Sequence, residues 1–135
     1  MNYITTLALL IGMASHAHAH AQNDVDSAMR RQTETMSKTL PRQVDPVTRL
    51  NSVEYQTNPR ASVYKYTTAY SRADLMARET EIIHANVPSL CAKIPVRNVL
   101  RAGVVHVSHY HDRNGTFGFV VVVDNKLCAQ ITGIQ

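Results

Sequence analysis

The sequence predicts an α+β fold: a four-stranded antiparallel sheet made of two hairpins, packed against helices in the order α-β-β-α-α-β-β and tied by one disulfide. Three observations carry that expectation. Two pairs of β-rich segments are each joined by turn chemistry (Thr57 to Arg60, and Arg113 to Thr116). Amphipathic segments precede and separate the two pairs. The two cysteines, Cys91 and Cys128, stand in the helical middle and at the end of the last strand.

The chain opens with Met1 to Ala21, which reads as a leader. Ile4 to Met13 is a short apolar run, and Ala19-His20-Ala21 ends it with small residues where a signal peptidase reads. Such a run is too short for a bilayer, which needs about 20 apolar residues. The expected organisation is a signal peptide over 1–21 and a single α+β domain over 22–135, with no transmembrane segment in the mature chain. All 14 Lys and Arg and all 10 Asp and Glu follow Ala21, so the exported domain keeps the net charge of +4. Its expected location is periplasmic or secreted.

Asp24 to Leu40 reads as a helix, with Val25, Met29, Met36 and Leu40 on one stripe. Asp24 and Asp26 favour the positive end of its dipole, and Pro41 ends it. Arg42 to Pro46 reads as a polar linker. Thr48 to Gln56 is a plausible strand, and Ala61 to Tyr70 a strong one rich in Val, Tyr and Thr. Ser71 has the chemistry of an N-cap for a helix from Arg72 to Asn86. A second short helix, Pro95 to Ala102, has Pro at its start and Gly103 past its end. Val104 to Asp112 is a third strand. Asn114-Gly115 favours a type I′ hairpin turn into a fourth, Phe117 to Leu127. The apolar run Phe119 to Val123 places that last strand centrally or beneath a helix.

An even pair of cysteines in an oxidising compartment reads as one disulfide, Cys91 to Cys128. It would close a loop of about 36 residues, for which the chain-entropy model gives roughly 4 kcal/mol. Spacing this wide is not that of a redox-active CxxC pair.

The ordered set Leu40-Pro41, Val44-Asp45, Thr48-Arg49-Leu50, Ser52-Val53, Tyr64-Lys65-Tyr66-Thr67, Cys91, Pro95, Leu100, Gly103-Val104, Tyr110, Asp112, Gly115 and Cys128 resembles small exported bacterial proteins related to the quorum-sensing-regulated virulence factor family. The resemblance spans about residues 36 to 128. It implies an exported, disulfide-tied α+β domain without mapped catalytic residues, with virulence or adhesion as its setting. The chain departs from that pattern at His106 and Ser108, where the family carries an apolar and an aromatic residue.

Chemistry is sparsely signalled. His109 and His111 are two apart on a strand and share a face, the start of a zinc or copper site that needs further ligands. This is the alternative reading: a periplasmic metal-binding protein. His106 shares its face with Val104, Ser108 and Tyr110, as a half-buried histidine would. Ser108 and Asp112 lie roughly 13 Å apart along a strand, and no GxSxG elbow, HExxH or Gly-rich phosphate loop is present. No cofactor is expected, and the chain is not expected to be an enzyme. Trp is absent and no aromatic-plus-basic cluster of the kind that grips single-stranded nucleic acid occurs. Tyr64, Tyr66 and Tyr70 form a ladder with Thr68. On an open face it is a binding surface; beneath helices it is core. The leading expectation is an exported, non-enzymatic protein-interaction module whose partner is an envelope or extracellular protein.

Overall fold

The computed structural model describes residues 8–133, with side chains described from His20 to Gly133. The elements are α1 (Ala8–Ser37), β1 (Arg42–Asp45), β2 (Thr48–Thr57), β3 (Arg60–Thr68), α2 (Arg72–Ala77), α3 (Glu79–Ala92), α4 (Ile94–Arg101), β4 (Val105–His111), β5 (Phe117–Val123) and α5 (Asn125–Thr132). The first seven residues of the expected leader lie outside the described residues, and its remainder is the start of α1.

The fold is α+β, but the expected four-stranded antiparallel sheet is corrected. The sheet has five strands in the order β1-β2-β3-β4-β5. It is mixed, because β3 and β4 run parallel, Tyr64 beside Ser108 and Tyr66 beside Tyr110. The extra strand is the segment read as a linker. Arg42 to Asp45 pairs antiparallel with β2, and the Asp45 carboxylate accepts from the Val47 amide at 2.8 Å, closing the turn around Pro46. The parallel pair follows from the connection. Three helices carry the chain from the end of β3 back to its starting end, and only a long crossover can join parallel neighbours.

Other details differ from expectation. The first helix, expected over Asp24 to Leu40, is Ala8–Ser37, so Asp24 and Asp26 lie within it and not in its first turn. The helix expected over Arg72 to Asn86 is two, α2 and α3, broken at Arg78. α3 then runs through Pro88 to Ala92. The last strand stops at Val123, and Asp124 caps a helix there by accepting from the Leu127 amide at 2.8 Å. The turn after β4 is not type I′, since only Gly115 has positive φ (80°). Gly115 N–H bonds the Asp112 carbonyl, while the buried Asp112 carboxylate accepts from the Asn114 and Thr116 amides at 2.8 and 2.9 Å.

Alternation and register sort the side chains onto two faces. Tyr64, Tyr66, His106, Ser108, Tyr110 and Phe119 share one, Val107, Val120 and Val122 the other. The helices lie on the first. Leu75 of α2 is fully buried against Tyr110 and Phe119. Gly118 permits this approach: a Cβ there would sit 2.6 Å from the Leu75 side chain and 3.1 Å from the Tyr110 carbonyl. Val87, Cys91, Leu100, Val123 and Cys128 form the second core cluster.

Two ties hold the helical layer. Cys91 and Cys128 are disulfide-bonded with Cα atoms 5.2 Å apart, joining α3 to α5 inside that cluster. Arg60, at the start of β3, gathers α1 and α4. Its Nε and Nη2 reach Asp26 at 2.9 and 2.8 Å, Nη1 the Ala102 carbonyl at 3.0 Å and Nη2 the Gln22 carbonyl at 2.9 Å. Tyr55 also donates to Asp26. That hydroxyl, then the Arg60 guanidinium, hold the Asp26 carboxyl below the usual carboxylate range against the opposing effect of burial.

Replacing both cysteines by alanine should lower the unfolding free energy by about 4 kcal/mol, read as a drop in the denaturant midpoint. A loss under about 1 kcal/mol would show that packing alone seats α3 and α5. Arg60→Met should cost about 2 kcal/mol, because charged hydrogen bonds are lost together. Hydrogen exchange should then accelerate selectively over residues 22–30; uniform acceleration would mean that Arg60 does not anchor α1.

Candidate functional site

The helical layer does not cover its sheet face completely. α1 lies over β2 and β3, while α3 lies over β5 and the end of β4. Beside α3 a groove of about 590 Å³ remains open, within the usual range of about 300–1,000 Å³ for ligand sites. One wall is α3, through Ile82, Asn86 and Leu90; the other is the β1–β2 turn, through Val44 to Thr48.

Tyr66, Tyr110, His106 and Ser108 form the floor, and its rings belong to a stacked row that crosses three strands. His106 stacks on Tyr64 with centroids 4.4 Å apart, Tyr64 lies 6.4 Å from Tyr66, Tyr66 stacks on Tyr110 at 5.1 Å, and Tyr110 on Phe119 at 5.0 Å. The parallel register of β3 and β4 makes this row, since it sets Tyr66 beside Tyr110. Offset stacks of this kind stabilise by about 0.5–1.5 kcal/mol each beyond their buried area. Burial raises the phenol pKa of Tyr64, Tyr66 and Tyr110, so the floor is uncharged at neutral pH. Asn86 reaches down from α3 towards the Tyr110 hydroxyl at 3.5 Å. Polarity lies at the ends: Asp45 and Glu81 line the groove near Tyr70, and Lys93 lines it near His106.

Of the tyrosine ladder, Tyr64 and Tyr66 are both half-buried; Tyr66 lies in this floor, while Tyr64 lies behind it, stacked on His106. Tyr70 follows the end of β3, lines the groove mouth, and has the Arg78 guanidinium 4.8 Å above its ring. The ladder is therefore neither open surface nor sealed core. Tyr110, Ile82 and Asn86 complete the site and were not singled out from sequence. The place of Tyr110 is readable only once strand pairing is known, and that of Ile82 and Asn86 only once α3 is placed over the sheet.

His106 Nε2 and Ser108 Oγ lie 3.2 Å apart at the groove floor. A third, orienting group is needed to make such a pair nucleophilic. Asp112 does not supply it, being bound to the turn amides. Burial first, then Lys93, push the His106 pKa down to about 4, so its ring is neutral and weakly basic at pH 7. His109 and His111 lie on the opposite, helix-free face, either side of Phe117 at 6.0 and 5.9 Å between centroids. His111 Nδ1 bonds the Tyr66 carbonyl at 3.1 Å. No third His, Cys, Asp or Glu joins them among the described residues. Burial, and then His111 and Lys65, lower the His109 pKa.

The neutral His106 makes stability pH-dependent. The unfolded imidazole binds a proton near pH 6.5 and the folded one near 4. Stability is therefore full above 6.5 and falls as pH drops towards 4. His106→Gln should remove that component, so that its melting temperature declines less than the wild type's between pH 7 and 4.5. Parallel declines would mean that His106 does not carry the effect.

No family model matches the chain, and no curated protein matches it. Solved structures do. A protein of Pseudomonas aeruginosa described as secreted superposes with a TM-score of 0.68 at 11% identity, over 80% of this chain and 96% of its own. The pilotin EpsS of the Vibrio vulnificus type 2 secretion system gives 0.67 at 15% identity, over 82% and 96%. The type II secretion system pilotin AspS of Vibrio cholerae gives 0.61 at 15%, over 83% and 99%. At these identities the likeness is one of fold.

Proposed function

We propose that the chain is an exported, non-enzymatic protein-interaction module of the bacterial envelope, and that the aromatic-floored groove docks a segment of a partner protein. The observation that carries this reading is the groove itself. It is long enough to run from the Asp45 and Glu81 end to the Lys93 end, uncharged along its floor, and walled by aliphatic side chains of α3. A neutral apolar floor with charges at its ends suits a peptide segment, because the floor supplies contact area and the ends fix direction. Tyrosines fit this task, having apolar rings with polar tips.

The setting is supported by two readings. The leader over 1–21 directs export, and the first anchor of α1 among the described residues is the Gln22 carbonyl held by Arg60. A mature chain starting near Gln22 would keep every described tie of α1. Among known structures of this fold are a protein described as secreted and two type II secretion pilotins. An envelope partner for this chain is the reading those neighbours favour.

A photocrosslinking amino acid placed at Asn86 or Val47, in cells expressing the full chain, should form one discrete adduct with an envelope protein. The same probe at Val122, on the helix-free face, should not. Ile82→Asp should abolish the adduct by about 2 kcal/mol or more, since it buries a charge in the docked state. Adducts from Val122 alone, or equal adducts from all sites, would move the interface off the groove.

A further inference from the structure

Next to the groove, behind the Tyr64–His106 stack, lies a second and smaller cleft of about 100 Å³. His106 is the wall that the two share. Helices α1 and α4 close over it through Met29, Val96, Val99 and Leu100. Among the described residues its lining includes no Asp, Glu, Lys or Arg and one histidine, which is neutral at pH 7 by the displacement described above.

One group in the cleft is out of balance with its surroundings. Ser62 is only 4% exposed, lines the cleft, and its hydroxyl has no hydrogen-bond partner among the described residues. A buried hydroxyl left unpaired costs about 1–3 kcal/mol, and buried polar groups are almost always satisfied. The neighbouring Tyr64 is stacked on His106, and the His106 Nε2 is taken by Ser108.

We propose that this cleft is the anchor subsite of the docking groove and receives one tyrosine side chain of the partner segment, whose phenol hydroxyl pairs with Ser62. The inference rests on the groove reading and adds the chemistry of the key contact. The size fits: an apolar cavity of about 150 Å³ takes up benzene, and this cleft is of the same order but open at one side. The lining fits as well. Aliphatic walls and the Tyr64–His106 stack favour a ring; the absence of charge excludes a carboxylate or ammonium. Ser62 selects a ring that carries one hydroxyl over a ring that carries none, because a bare ring leaves the serine unpaired. Buried aromatic anchors in pockets dominate many interfaces.

Phenol and toluene are the probes, titrated into the full chain with methyl carbon NMR on Val96, Val99 and Leu100. Phenol should shift these signals saturably and more tightly than toluene. Ser62→Ala should weaken phenol about fivefold, as loss of one neutral hydrogen bond does, and leave toluene unchanged. Val99→Phe, which fills the cleft, should abolish both shifts while the Asn86 crosslink weakens. No phenol shift, the result of a cleft holding water only, overturns the inference even where the crosslinks persist. Equal affinity for phenol and toluene, or equal loss of both in Ser62→Ala, overturns the role of the hydroxyl. Phenol binding by Ser62 without any groove adduct would instead remove the docking reading and leave the cleft's selectivity in place.

Discussion

The parallel pairing of β3 with β4 is the constraint on which the rest of the molecule depends. A parallel neighbour demands a crossover, and here the crossover is three consecutive helices. They must all travel on one side of the sheet, so the helical layer and the aromatic row end up on the same face. Had the two hairpins simply lain side by side in antiparallel order, Tyr66 and Tyr110 would not share a register position. The stacked floor is a product of topology acting on strand residues that are ordinary β-formers.

The helical layer is held at its margins and left open in its centre. Arg60 ties α1 and α4 to the start of β3 on one side; the disulfide ties α3 to α5 on the other. The two ties sit in different surroundings. Asp26 and Arg60 keep about a fifth of their side-chain surface exposed, so the pair avoids the full desolvation penalty of a buried ion pair. The disulfide lies in the driest cluster, with Cys91 and Cys128 at 0% and 2% exposure. A small domain has a limited core, and one partly exposed ion pair with one buried disulfide allow it to spare the middle of its best apolar face for a groove.

Much of this was legible in the chain. The strands β2 and β3, their turn at Asn58-Pro59, and the cysteine pairing follow from β-branched runs, turn residues and cysteine count, all local signals. The parallel pair was not legible, because the same β-rich segments and turns are compatible with either strand order. β1 was hidden by its brevity: Arg42-Gln43-Val44-Asp45 has one apolar residue and is fully exposed, so no alternation marks it. α5 was hidden by continuity, since the valines of β5 run into Asp124-Asn125, a capping pair overshadowed by the strand before it. The groove was half legible. Tyr64 and Tyr66 were visible as a ladder, but whether that face was open, covered or partly covered depended on where α1 and α3 came to rest. Ile82 and Asn86 could not be assigned before α3 was placed.

The two faces of the sheet also differ in a way that bears on function. The helix-free face exposes Phe117, Val120 and Val122 at 47%, 43% and 53%, scattered among His109, His111 and the Lys65–Glu54 pair. It has apolar area but no concavity. The groove has less exposed apolar surface and more shape: a floor of stacked rings whose positions are locked by one another, between two walls of fixed backbone. Rings held in this way lose little freedom on binding, and it is preorganisation rather than area that converts contact into affinity. A neutral His106 serves the same end. Charged, it would draw water to the junction of groove and cleft; neutral and stacked on Tyr64, it keeps that junction apolar and passes its one ring hydrogen bond to Ser108.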